Sequence, residues 1–197
     1  MRHALVLALV LAAPALASAK KPLRVTPWVL DDGRGGVFSD WVRFSGPGNS
    51  DPALLLEKER QTSDFVAAGA AVEGVDGITL TELGFDVWND GHCGAGAPRF
   101  NVFVTMPDDG STKLFFFGCS YGTHTPAPDK PATFTRVRFD DSDAFAQDGV
   151  SYWPGFGNAV VESIDIVFDE GIDQGSGVTA IDNIDVNGEL VGRGHGR

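Results

Sequence analysis

From Asp64 to Val186 the sequence alternates short β-branched and aromatic runs with breaks of Gly, Pro, Asp and Asn. That punctuation constrains the fold more than any other feature. Runs of this length suit half-buried strands, and the breaks supply turn chemistry. The strand candidates are Asp64–Val72, Ile78–Trp88, Arg99–Thr105, Lys113–Phe117, Thr133–Phe139, Ser163–Phe168 and Val178–Val186, with weaker ones at Val37–Phe44 and Ala53–Glu57. No window carries a sustained apolar period of 3.6 with caps. Ala67–Ala71 has helix-forming alanines, but Gly69 and the flanking valines oppose a helix. Seven to nine strands of this kind predict an all-β, antiparallel β-sandwich, of jelly-roll type.

Pro107-Asp108-Asp109-Gly110 sits between two of these runs and predicts a β-hairpin. The only cysteines, Cys93 and Cys119, flank that hairpin. Simple pairing places Cys119 near Pro98, so residues 94–97 must fold back to bring Cys93 within reach. A disulfide is the favoured reading. The rival is a metal held by His92, Cys93, Cys119 and His124, whose spacing fits no zinc pattern.

The compartment follows from the start of the chain. Arg2 and His3 precede an apolar stretch, Ala4–Leu16, and Ala17-Ser18-Ala19 has the small residues of a cleavage site. Met1–Ala19 therefore reads as a signal peptide, residues 20–192 as one β-sandwich domain, and 193–197 as a flexible tail. The expected product is secreted, extracellular or periplasmic, with no membrane span after cleavage. Charge narrows the partners. The chain has 15 Lys+Arg against 27 Asp+Glu, a net charge of -12. Loss of Arg2 with the leader makes it slightly more negative. Such a surface repels phosphate backbones and anionic membranes, so nucleic acid is excluded as a partner.

Strand parity singles out Asp182. Counting by twos, Val178, Ala180, Asp182, Ile184 and Val186 share the inward row, with Ile181 outward. An inward carboxylate needs a partner or a metal. A bulge near Asp182-Asn183 would instead turn it outward.

The ending Ala180-Ile-Asp-Asn-Ile-Asp-Val-Asn-Gly188 resembles the last strand of secreted jelly-roll modules of the carbohydrate-binding and galactose-binding-like families. The resemblance implies a jelly roll, a glycan ligand, and a structural Ca²⁺ held by Asp182 with an acidic residue near the N-terminus, where Asp31-Asp32 lie. The middle of the chain, Thr79–Thr125, resembles secreted bacterial proteins and implies no activity.

Loop aromatics with polar neighbours are the candidate binding residues: Trp88, Asp90 and His92; Tyr121 and His124; Tyr152 and Trp153. Aromatic faces stack on sugar rings while nearby polar groups bind hydroxyls. Trp28 and Trp41 read as packing. Gly118-Cys119-Ser120-Tyr121-Gly122 matches the G-x-S-x-G pattern of hydrolases, but the sequence after it, with three prolines, cannot form the helix that the motif needs. The favoured function is a secreted, non-enzymatic module that binds extracellular carbohydrate. The alternatives are a polysaccharide or ester hydrolase and a structural envelope or surface protein.

Overall fold

The computed structural model describes residues 21–44, 52–61, 65–169 and 176–192. The expected signal peptide and tail lie outside the described residues. No helix among those described is long and apolar enough to cross a membrane.

Among the described residues, thirteen strands form two antiparallel sheets. They are β1 (Arg24–Leu30), β2 (Val37–Arg43), β3 (Pro52–Lys58), β4 (Ala67–Glu73), β5 (Leu83–Trp88), β6 (Arg99–Thr105), β7 (Thr112–Gly118), β8 (Thr123–Pro126), β9 (Phe134–Arg138), β10 (Ala144–Ala146), β11 (Val160–Phe168), β12 (Gly177–Val186) and β13 (Glu189–Val191). One sheet has the order β1-β4-β11-β6-β7-β10. The other has the order β2-β3-β12-β5-β9-β8, with β13 paired to β12. Successive strands cross repeatedly between the layers, as in a jelly roll.

Alternation builds the core. Phe100, Val102 and Val104 of β6, Phe115 and Phe117 of β7, and Ile164, Ile166 and Phe168 of β11 face inward and are buried. Leu54 and Leu56 of β3, Leu83 and Phe85 of β5, and Ile181, Ile184 and Val186 of β12 meet them from the other layer. Each such side chain contributes about 1.5–3 kcal/mol by leaving water. The hairpin forms as expected, with Arg99 opposite Gly118 and Thr105 opposite Thr112.

Four strands were not foreseen: β1, β8, β10 and β13. Strand β1 contains Pro27, which a sheet edge tolerates because its missing N–H faces no partner. Strands β10 and β13 have three residues each, too few to show a period. The run Ile78–Trp88 is also not one strand. Thr79 makes an isolated bridge to Val160, and β5 starts at Leu83.

The simple parity of β12 is corrected by a bulge. Its register against β5 shifts between Asp182 and Asp185, and Asn183 takes a left-handed φ of 46°. Asparagine tolerates that conformation better than most residues. Ile181 is consequently inside the core, while Ala180 joins a small cluster with Ala53, Ala127 and Phe134 on the outer side of the sheet. Asp182 shares the parity of Ala180 and faces outward too.

Candidate functional site

The seven candidate binding residues do not converge. Trp88 is half-buried on the outer side of the β5 sheet, edge-on to Phe44 with centroids 5.1 Å apart. Asp90 is exposed in the following turn. His92 meets the edge of Phe168 at 5.9 Å. Partial burial holds its imidazole below the ordinary histidine range, which favours the neutral ring. Trp153 packs edge-on against Phe115 and Phe117 at 5.2 and 5.1 Å, and its Nε1 donates to Asp141 Oδ1 at 3.0 Å. It pins its loop to the core, and leaves only its neighbour Tyr152 exposed. The His124 ring nitrogen lies 2.8 Å from the Cys119 carbonyl oxygen. Tyr121 lines a cleft with other aromatic rings.

That cleft lies on the outer face of the β1-to-β10 sheet. Cross-strand register lays out one row across all six strands: Thr26, Ala71, Asp165, Asn101, Phe116 and Phe145. A second row reads Trp28, Gly69, Val167, Arg99 and Gly118. The Phe145 end of these rows is a cleft of ≈ 270 Å³, lined by Ala95, Gly96, Arg99, Phe116, Gly118, Tyr121 and Phe145. Tyr121 and Phe145 stack with centroids 5.0 Å apart and planes tilted by 35°. Both remain about half exposed, at 47% and 52%. Arg99 stands over the Phe116 ring, 5.2 Å from its centroid.

The disulfide builds the cleft wall. Cys93 and Cys119 are bonded, with Cα atoms 5.2 Å apart. Gly94 N–H donates to the Ala97 carbonyl, Ser120 N–H to that of Gly94, and Cys119 N–H to that of Pro98. Residues 94–97 therefore fold back over the end of β7, as the asymmetric cysteine placement requires. A side chain at position 118 would collide with the Ala95 carbonyl, which explains the glycine. The metal alternative fails here. Among the described residues, Cys93, Cys119 and His124 are close enough to share an ion, but both sulfurs are spent on each other.

At the other end of the face, Trp28 lies across Gly69, where a Cβ would collide with the indole. Its Nε1 donates to Asp165 Oδ1 at 3.1 Å. Burial pushes the Asp165 carboxyl above the usual carboxylate range. Trp41 is a core residue as expected, whereas Trp28 is a surface residue of this face.

The opposite outer face is closed by its own chemistry. Arg136 donates to both carboxylate oxygens of Asp86, Arg138 pairs with Asp185, and Asn183 Nδ2 donates to Asp86 at 2.8 Å. Lys130 Nζ sits 2.7 Å from Asp182 Oδ2, and the Asn183 N–H donates to Oδ1. Both Asp182 oxygens thus have partners, one of them a cation. The donor set at Asp182 does not fit Ca²⁺, because an ammonium holds the position that the ion would need.

Sequence reasoning missed Phe116, Phe145, Arg99, Asn101, Asp165 and Trp28. Parity of the hairpin alone places Arg99, Asn101 and Phe116 on one outer face. Nothing local marks Phe145, which stands in a Ser-Asp-Ala-Phe-Ala-Gln-Asp stretch that resembles a loop.

No protein-family model and no curated protein matches the chain. Among solved structures it is similar to the family 11 carbohydrate-binding module from Clostridium thermocellum in complex with a β-1,3-1,4-mixed-linked tetrasaccharide. That pair shares 14% identity over 90% of this chain and 96% of that one, with a TM-score of 0.49. It is also similar to the family 11 carbohydrate-binding module of the cellulosomal cellulase Lic26A-Cel5E of Clostridium thermocellum, at 12% identity, 91% and 96% coverage and a TM-score of 0.48. The likeness is between sandwiches and says nothing of this chain's ligand.

Proposed function

We propose that the protein is an exported, non-catalytic binding module whose ligand is a carbohydrate lying on the outer face of the β1-to-β10 sheet. The observation that carries this reading is the cleft of Tyr121, Phe145 and Phe116 around Arg99. Half-exposed rings on a rigid sheet offer apolar platforms to the C–H faces of sugars. A few fixed polar groups then orient the hydroxyls. Asn101 and Asp165 continue the polar row toward Trp28, a second aromatic surface. Five strand spacings of about 4.8 Å separate β1 from β10, so the face spans about 24 Å, room for several linked sugars. The Cys93–Cys119 disulfide supports an oxidising compartment.

Nothing in the geometry favours the hydrolase alternative. Ser120 lies in a 3₁₀ turn followed by a strand, not a helix. The nearby His124 ring faces the Cys119 carbonyl instead.

Titration of the whole protein with a panel of neutral and acidic oligosaccharides tests the reading. Trp28 lies on the face, so saturable change in tryptophan fluorescence is expected with at least one sugar class. Absence of binding to every member of the panel, by calorimetry as well as fluorescence, overturns it.

A further inference from the structure

We propose that Asp169 sets the charge preference of the cleft: by occupying the Arg99 fork, it restricts the site to uncharged sugars and turns away uronic acids. The inference rests on the carbohydrate reading and adds a specificity-determining residue to it.

Arg99 has five N–H groups. Nη1 and Nη2 each donate to one Asp169 carboxylate oxygen at 2.8 Å. Nη1 also donates to the Gly96 carbonyl at 2.6 Å, and Nε donates to Asn101 Oδ1 at 2.8 Å. One Nη2 N–H is left. A carboxylate ligand is recognised by arginine through two parallel N–H groups, and that pair is taken. A single N–H can still serve a hydroxyl.

Burial makes the arrangement firm. The Arg99 and Asp169 side chains are only 13% and 8% exposed. Behind them, the wholly buried Lys58 donates from Nζ to the Asp169 backbone carbonyl at 2.8 Å. Lys58 does not line the cleft, and its bond to the main chain holds the Asp169 backbone in place. Opposite Asn101 on the same face stands Asp165, a second carboxylate. An acidic sugar would therefore find an occupied arginine and two carboxylates. The net charge of -12 adds a weaker repulsion at distance.

The test measures binding of a neutral gluco-oligosaccharide and an oligogalacturonate at low salt. The wild type is expected to bind the neutral sugar at least tenfold more tightly. Asp169→Asn keeps one acceptor for Arg99 and the backbone carbonyl for Lys58, and it should narrow that ratio at least fivefold through gained affinity for the oligogalacturonate. The gain should weaken with added salt and vanish in the Asp169→Asn, Arg99→Gln double variant. Asp169→Ser provides the same comparison if the asparagine variant fails to fold. Wild-type affinity for the oligogalacturonate equal to that for the neutral sugar overturns the proposal. So does an unchanged ratio in a folded Asp169 variant. A wild type that binds neither sugar, nor any other on the panel, instead overturns the carbohydrate reading, and this one with it.

Discussion

Tyr121 and Phe145 come from a 3₁₀ turn and an edge strand that adjoin only in the folded chain, and their rings stack 5.0 Å apart beside the cleft. Replacing either with alanine is expected to weaken sugar binding about tenfold, about 1.4 kcal/mol. Because both rings are about half exposed, the melting temperature should move little. Calorimetric titration and thermal melting separate the two effects. Full affinity in both variants would place the ligand elsewhere.

The disulfide supports both stability and site. Its cysteines are 26 residues apart in sequence, a loop whose closure contributes about 3–4 kcal/mol in the chain-entropy model. Cys93→Ser, Cys119→Ser should unfold at correspondingly lower denaturant. Sugar affinity should also fall in the variant that remains folded, because residues 95 and 96 form the cleft wall. Equilibrium denaturation and titration of the same preparation check both statements.

The Lys130–Asp182 pair predicts indifference to calcium. Melting curves with calcium and with chelator should superimpose, because an ammonium already neutralises Asp182. Lys130→Met strands a carboxylate that is 7% exposed and should cost about 3–5 kcal/mol. A calcium-dependent rise in the wild-type melting temperature would contradict this account.

Asp165 carries a pH signature. Its folded-state pKa lies above the ordinary aspartate value of 3.8, chiefly through burial, so the folded protein holds this proton more tightly than the unfolded chain. The carboxylate is therefore a cost to stability above the folded pKa, relieved as pH falls toward 3.8. Asp165→Asn keeps an acceptor for the Trp28 indole N–H and should be more stable than wild type at neutral pH. The advantage should shrink on acidification. Parallel melts across that range would expose the opposite trend if the sign were wrong.

The sandwich was legible because alternation is local. Ile164, Ile166 and Phe168 declare their inward face within one run, as do Phe100, Val102 and Val104. Local alternation is compatible both with unbroken parity and with a bulge at Asn183, and a one-residue slip inverts every side chain beyond it, so only strand pairing decides between them. The remaining strands leave no local signature: Pro27 breaks the pattern of β1, and β8, β10 and β13, with four, three and three residues, are too short to show a period.

The site was less legible, for a different reason. Loop aromatics were the sensible candidates, yet Trp153 is spent on the core and Trp88 on a second apolar cluster. The sequence by itself determined the strand-rich class, the cysteine pair and the acidic character, all of which follow from residue type and spacing. Only the tertiary structure decided that Tyr121, Phe116 and Phe145 share one cleft, and that Asp169 holds Arg99 across 70 residues of chain. Those relations depend on strand order, and strand order is settled by long-range pairing that no local pattern encodes.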